Sequence, residues 1–548
     1  MARRVELLVL GLIVGVVLVQ QWRFGVQSAG PQLVTDDHAV ARLTAAMHAS
    51  ITRGVPYDPM RLAATPYPPF GPWLGAVVAV VLPGDPVRAM LHAQDLLLAL
   101  MVPATWAAVR ARLGPALALG VAALVPFYAA FWTIHAQFFL EVQQGFALVL
   151  VLAAWGASDG LRRLWGAAAF GLALGIGLLT KFSFVFFAAA PAVMAVAYVA
   201  TGLVRAGPWR AVVFAAAVLA GAGPIAGASG HVAGALGLAA VAAFGLGVAV
   251  WRAAAPDARA VGLRVLVVVA TTAAVAAPWY LRHLEVLRVF FAQNLAGGFD
   301  GEVFPVAEIW WALPGFLARG VLDDVAGGLF LVGAVRVLFD PRASTGRLAL
   351  AMVVAGVVCL TVLPYRTPRY LFPLAGPALV VAGHAFGGPL VLRTVVGAAL
   401  LAWGVWLQVS WGYATRWERW WTTVFEQPPN SLVTRQQLRD YLSAPVLRLR
   451  LYAAPPIFGR GLTTPAMFRR VVAAVDLAAV ETISVSLRRP DSCPRLALEL
   501  AAAGANPYLT CVERGELVVS PAGQLPSGWT SVHRDGAVEF GLASGPAR

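Results

Sequence analysis

Residues 171–184 read GLALGIGLLTKFSF, the end of an apolar run that opens at Leu164 and stops at a lysine. A run of this length and apolarity is the size of a helix crossing a bilayer, about 17 to 25 residues. Lys181 then marks a helix break. It is the only lysine in a chain that carries 40 arginines. A compact ammonium with three donors suits a phosphate ligand. The bland alternative is an interface anchor whose stem snorkels to the membrane surface.

Working outward, the rest of the chain repeats the same pattern. Of 548 residues, 59% are hydrophobic and 12% charged, and the mean hydropathy is +0.74. A soluble core stops growing well before this chain length, so such apolarity points to a membrane protein. The first span, Val5 to about Trp22, has no small-residue cleavage site after it and reads as a retained anchor. Further spans fall near 88–110, 114–131, 138–156, 164–180, 183–201, 211–227, 232–250, 263–279, 325–339, 347–363, 370–387 and 393–411. The expectation is a polytopic α-helical membrane protein of about 13 transmembrane helices. The stretch 70–83 is short and opens with prolines, which suits a helix lying at the interface.

The net charge of +14 does not mark a nucleic-acid binder, because the arginines are scattered through short loops rather than gathered in one stripe. With a cytoplasmic N-terminus, Arg3, Arg4, Arg110, Arg112, Arg162, Arg163, Arg205, Arg210, Arg252, Arg259, Arg264, Arg342, Arg347 and Arg393 all fall inside. The chain is thus expected in the cytoplasmic membrane, with its C-terminus outside. Residues 1–411 form the membrane domain and 412–548 an extracytoplasmic α/β soluble domain. In the latter, 446–452 and 482–489 read as strands and 465–480 as a helix. Cys493 and Cys511 both lie there, in a compartment where a disulfide between them is chemically allowed.

Ionisable residues near membrane spans are costly, so their positions carry information. TDDHAV, residues 35–40, sets Asp36 and Asp37 side by side behind a potential cap, Thr35. Carboxylates in a first turn suit the helix dipole; they equally suit a catalytic acid pair. Val40, Leu43, Met47 and Ile51 then recur at helical spacing, as in an amphipathic surface helix. Arg88, His92 and Asp95 share one face near the outer end of the second span. Glu141 opens the fourth span, either in the same cavity or as an interfacial carboxylate turned to water. In PYRTPRYLFPL, residues 364–374, Arg366 and Arg369 sit at an outer junction, against the positive-inside trend. Together these groups surround one outward-facing cavity suited to an anionic lipid-linked substrate and an acceptor to be deprotonated.

Five stretches carry a family resemblance: TDDHAV, YPPFGPWLGA (67–76), GLALGIGLLTKFSF, APWYLRHLEVL (277–287) and RYLFPLAGPALVVAG (369–383). In order and sidedness they resemble the GT-C glycosyltransferases of the protein O-mannosyltransferase and lipid A aminoarabinose transferase type. The resemblance covers roughly residues 1 to 411. It implies a polyprenyl-phosphate sugar donor, inversion at the anomeric carbon, and a lipid, glycan or protein acceptor. Asp36 stands where the family places its catalytic aspartate and Asp37 where many relatives have glutamate; Glu141, from its own place at the outer start of the fourth span, is a third catalytic candidate. Lys181, Arg366 and Arg369 match the donor-phosphate positions. Tyr67, Arg88, His92, Asp95, Arg282 and Tyr370 are expected to line the cavity. Asp36 and Asp37 are also a candidate seat for a divalent metal; no other cofactor is implied. Tyr67 precedes the double proline where several relatives carry lysine or histidine, so the acceptor and the sugar stay open. A flippase for a lipid-linked saccharide is the rival; it predicts internal repeats and midplane charges, which the sequence lacks.

Overall fold

A computed structural model of the chain describes residues 2–27, 36–55, 67–82, 86–130, 140–188, 256–295, 313–315, 317–322, 324–340, 342–362 and 368–411. In the C-terminal segment it describes 472, 482–485, 500, 510–511, 517–521, 525–527, 529–535 and 538–543. The chain divides into two compact units. Unit 1 combines Met1–Gln21, Asp95–Ile134 and Leu140–Pro455; unit 2 combines Trp22–Gln94, His135–Phe139 and Pro456–Arg548.

The described helices follow the apolar runs. They are α1 (Ala2–Gln27), α2 (Asp36–Arg53), α3 (Phe70–Val81), α4 (Pro86–Leu113), α5 (Pro115–Ala130), α6 (Glu141–Ala157) and α7 (Leu164–Thr180). After the span expected at 183–201, of which only 183–188 are described, come α8 (Pro256–Arg282), α9 (Leu284–Leu295), α10 (Asp324–Phe339), α11 (Ser344–Val362), α12 (Ala375–Gly383) and α13 (Leu390–Trp411). The spans expected at 211–227 and 232–250 lie outside the described residues. Among the described helices, Ala89–Leu113, Gly262–Arg282 and Ser344–Thr361 are long and apolar enough to cross a membrane on their own.

Three elements depart from the expected layout. The segment between the spans expected at 263–279 and 325–339 holds α9 and a π-helical turn at Leu317–Leu322; both are too short to cross a membrane. The span expected at 370–387 is not one helix. It opens with a 3₁₀ stretch, Pro368–Leu374, passes into α12 and ends in a 3₁₀ turn, His384–Phe386. Pro373 has no N–H to extend an α-helix across the first junction, whereas Pro377 falls in the first turns of α12, where a missing donor is tolerated. On α2, Val40, Leu43 and Met47 are buried but Ile51 is 53% exposed, so the apolar stripe ends one turn earlier than its spacing predicts.

Within unit 1, small residues let helix backbones approach closely, the usual device where side-chain hydrophobicity gives no net drive between helices. A Cβ on Gly171 would collide with Thr271, and one on Gly175 would press on Val275, so α7 lies directly against α8. Thr272 Oγ1 donates to the Gly171 carbonyl at 3.0 Å across the same seam. Gly120 of α5 and Gly397 of α13 meet in the same way, and a Cβ on Gly156 of α6 would strike the Ala108 backbone of α4. Because α6 and α7 run antiparallel, this last contact fixes one end of the pair beside the C-terminus of α4. The other end, where α6 starts and α7 stops, is where Glu141 and Lys181 lie.

Unit 2 packs α2 on α3, with the Thr44 hydroxyl 2.8 Å from Met90 Sδ at the start of α4. Its five-stranded mixed sheet has the order β2-β1-β3-β5-β4, built from β1 (Thr482–Val485), β2 (Thr510–Cys511), β3 (Leu517–Pro521), β4 (Trp529–Asp535) and β5 (Val538–Ala543). β1 is parallel to β2 and β3, whereas β5 is antiparallel to β3 and β4. Leu517, Val518 and Val519 of the central β3 and Phe540 of β5 are all buried, so β3 is covered on both faces. The strand read at 482–489 is present as β1. The strand at 446–452 and most of the helix at 465–480 lie outside the described residues, as do Cys493 and the side chain of Cys511.

The connection from α10 to α11 is held by Asp340, which is paired with Arg112 at the end of α4. Partial burial pushes the Asp340 carboxyl up. Hydrogen bonds from Arg112 and the Arg342 N–H, with the charges of Arg112 and His384, outweigh it and leave the group below its ordinary value. A depressed carboxyl stabilises the fold above its unfolded value of about 3.9 and loses that contribution as pH falls through the lower folded value. Unfolding of the detergent-solubilised protein, followed between pH 6 and pH 2.5, should therefore show an acid-side loss of stability that is shallower in Asp340→Asn. Identical pH profiles for the two proteins would refute the assignment.

Candidate functional site

The sequence places a carboxylate at the start of one apolar helix and a cation at the end of the next, and the antiparallel pairing of α6 and α7 brings them together. Glu141 is the first residue of α6, where the positive end of the helix dipole favours an anion. Lys181 caps α7 in extended conformation, just past Thr180, where the negative end favours a cation. Lys181 Nζ lies 2.9 Å from Glu141 Oε1. Glu141 is 1% exposed and Lys181 4%. The alternatives of a snorkelling lysine and a water-facing carboxylate therefore both give way to a buried ion pair.

Around the pair the polar groups are ordered. The Lys181 ammonium stands 4.5 Å from the centre of the Tyr370 ring, a cation–π contact that the dry setting strengthens. Gln144, one turn along α6 from Glu141, donates Nε2 to Ser183 Oγ at 3.0 Å. Thr180 donates to the Gly177 carbonyl at 2.6 Å, which fixes the last turn of α7. A cavity of about 10 Å³, room for one water, is lined by Glu141, Val142 and Gly145 of α6, Met101 of α4, and Phe372, Pro373 and Gly376. The 3₁₀ stretch carrying Tyr370 and Phe372 thus lies against the start of α6.

The APWYLRHLEVL motif joins the same end of the unit. Tyr280 donates its hydroxyl to the Leu178 carbonyl at 2.9 Å, in the last turn of α7. Trp279 stacks on His283 with ring centroids 4.6 Å apart. Arg282, two residues past Tyr280, ends α8 with its side chain exposed.

The other expected site residues divide as follows. Asp36 and Asp37 are the first two residues of α2, as a capping Thr35 predicts; their side chains lie outside those described. Tyr67 is buried ahead of α3. Arg88 belongs to the first turn of α4, with His92 half-buried and Asp95 buried further along it. Arg369 falls in the 3₁₀ stretch beside Tyr370 with its side chain outside those described, and Arg366 is wholly outside them. On α2, burial and the charge of Arg53 hold His48 below its usual value, so it is neutral at pH 7. Among the described residues no three His, Cys, Asp or Glu side chains converge as a metal site.

Sequence reasoning missed Gln144 and Ser183. The signal was present in EVQQG, residues 141–145, where three polar side chains crowd the first turn of an apolar helix.

No family model matches this chain, and no curated protein matches it. Among solved structures, ArnT from Cupriavidus metallidurans in the apo state aligns with a TM-score of 0.56 at 15% identity, over 98% of both chains. The same protein bound to undecaprenyl phosphate aligns at 0.53 and 15% identity, over the whole of both chains. A weaker likeness, at 0.48 and 16% identity, links 95% of this chain to 70% of the archaeal oligosaccharyltransferase AglB from Archaeoglobus fulgidus. The chain therefore has the fold of ArnT, a lipid A aminoarabinose transferase of the GT-C type, as its motifs led one to expect. The alignment runs past residue 411 into the C-terminal segment, beyond the region that carries the motifs.

Removing one partner of a buried pair strands the other charge, at about 3–5 kcal/mol, whereas removing both charges together is often neutral. Glu141→Gln and Lys181→Met should each lower stability by about that amount. The Glu141→Gln/Lys181→Met double variant should recover most of it. Denaturant unfolding of the four proteins measures the coupling, and additive losses would mean the two charges do not meet.

Proposed function

We propose that this protein transfers a sugar from a polyprenyl-phosphate donor to a hydroxyl or amine of a lipid, glycan or protein, at the outer face of the cytoplasmic membrane and with inversion. The observation that carries this reading is the fold shared along the full chain with ArnT, whose structure holds undecaprenyl phosphate. In the proposed reaction Asp36 takes the acceptor proton and the acceptor heteroatom forms its bond to the anomeric carbon. The bond from that carbon to the phosphate oxygen breaks, and polyprenyl phosphate leaves with the electron pair. Lys181, with Arg366 and Arg369, stabilises the charge that develops on the leaving phosphate. Asp37 supports Asp36. Glu141, buried and paired, positions Lys181 rather than meeting the acceptor. Tyr67, Arg88, His92, Asp95, Arg282 and Tyr370 are assigned to the donor and acceptor cavity, and the apolar helices supply a surface for the polyprenyl tail.

The test is complementation. Cells lacking this protein should lose one sugar from an envelope glycan, lipid or protein, as read by mass spectrometry. Wild-type protein should restore it. Asp36→Asn keeps the side-chain size and the membrane-inserted amount but removes the base, so transfer should drop by about 10² to 10⁴-fold. Near-normal restoration by Asp36→Asn would sink the catalytic assignment. Asp36 and Asp37 are also our proposed seat for a divalent cation, and chelation of membranes in the same assay reads that part separately.

A second measurement addresses the phosphate. A charge-assisted hydrogen bond contributes about 1.5–3 kcal/mol, equivalent to about 10 to 100-fold in donor use. Because Glu141→Gln/Lys181→Met removes both charges of the pair together, its KM for donor should rise by that factor while its KM for acceptor hardly changes. Unchanged donor kinetics in this folded variant would make the lysine purely structural.

A further inference from the structure

At the end of unit 1 away from Glu141 and Lys181, a second group of charges gathers on a backbone turn. Asp340 follows α10 and accepts from Arg112. Its Oδ1 accepts the Arg342 N–H at 2.9 Å, and its carbonyl accepts from Arg347 Nη2 at 3.1 Å. One helical turn earlier, Arg336 donates Nη1 to the Ala385 carbonyl at 2.9 Å. Arg393, near the start of α13, donates Nε to the Gly388 carbonyl at 2.9 Å. Four guanidiniums and the Arg342 backbone thus gather where Asp340 is the one carboxylate among these contacts. Arginine stays charged at any physiological pH, so the excess is permanent. Arg336 and Arg342 are exposed, and Arg112 keeps 38% of its side chain accessible despite its ion pair.

The surface beside these cations is apolar. On α10, Leu331, Val332, Val335, Leu338 and Phe339 are exposed, from 53% at Val332 and Leu338 to 82% at Phe339. Their spacing makes one stripe of the helix, running down to the level of Arg336. On α13, Leu390, Val391 and Val395 are likewise exposed around Arg393. An exposed apolar stripe ending in guanidiniums offers the two halves of a lipid their separate solvents. The site is also distinct from the Lys181 cluster: Gly156 abuts Ala108 just before Arg112, and the 17 residues of α6 set Glu141 about 25 Å away.

We propose that the Arg112–Arg336–Arg342 end of unit 1 is a built site for the phosphodiester headgroup of an anionic membrane lipid, with the acyl chains along α10. The guanidinium fork matches two phosphate oxygens at once, and the adjoining apolar stripe selects a lipid over a free anion. This holds whether or not the protein transfers a sugar.

Native mass spectrometry and thermal unfolding of the delipidated full chain in neutral detergent test it. Phosphatidylglycerol should bind about tenfold or more tightly than phosphatidylcholine of the same chains and raise the unfolding temperature. Millimolar inorganic phosphate should do neither. Arg336→Gln/Arg342→Gln should abolish the preference for phosphatidylglycerol and leave phosphatidylcholine binding as it was, while Arg336→Lys/Arg342→Lys should keep part of it. Should the glutamine variant fail to fold, the wild-type comparison of the two lipids still decides. Equal binding of both lipids, a glutamine variant that retains the preference, or an equal shift with inorganic phosphate would each overturn the proposal.

Discussion

A glutamate and a lysine, taken out of water together at the ends of two antiparallel helices, set the terms for unit 1. Two charges at 1% and 4% exposure are tolerable only if they meet, because each alone would carry a desolvation penalty of several kcal/mol. Meeting requires α6 to begin where α7 stops. It also requires an extended residue at 181 in place of another helical turn, and the 3₁₀ stretch to bring Tyr370 beneath the ammonium. Glycine seams allow this by letting α7 lie against α8 and α6 against α4. The polar pair therefore adds to the register that the glycine contacts already restrict.

The two ends of the unit use cations differently. At the buried end stands the only lysine, a compact charge that fits over one aromatic ring and against one carboxylate. At the other end arginines predominate, and their planar forks reach backbone carbonyls at Ala385, Gly388 and Asp340 as well as a carboxylate. A lysine there would satisfy fewer acceptors at once. An arginine at 181 would have to bury a wider, five-donor group beside the Glu141 carboxylate and the Tyr370 ring. The distribution follows from what each head group can satisfy.

Much of this was legible in the sequence. The run 164–180 is α7 to the residue, and the acid pair does open α2. Lys181 stood out because a chain rich in arginine kept one lysine, and the structure gives it a distinct environment. What could not be read was pairing across distance. Glu141 and Lys181 are 40 residues apart, and Arg112 and Asp340 are 228 apart, so only the packing of helices reveals either pair. The break at 368–374 was hidden for a different reason: averaged hydropathy treats proline in an apolar run as one more apolar residue, whereas its missing donor redirects the backbone. Ile51 fits its helical stripe by spacing yet is exposed, since periodicity says which residues share a face but not how far along the helix that face is covered.

The placement of Glu141 favours a positioning role for this carboxylate over that of a base. A general base must come within hydrogen-bond reach of the proton it removes. Glu141 is enclosed, and its Oε1 lies on the Lys181 ammonium. Reaching an acceptor would require opening the start of α6 and stranding the lysine. In the proposed reaction, then, Glu141 holds the Lys181 cation in place, and the proton goes to Asp36, elsewhere in the chain.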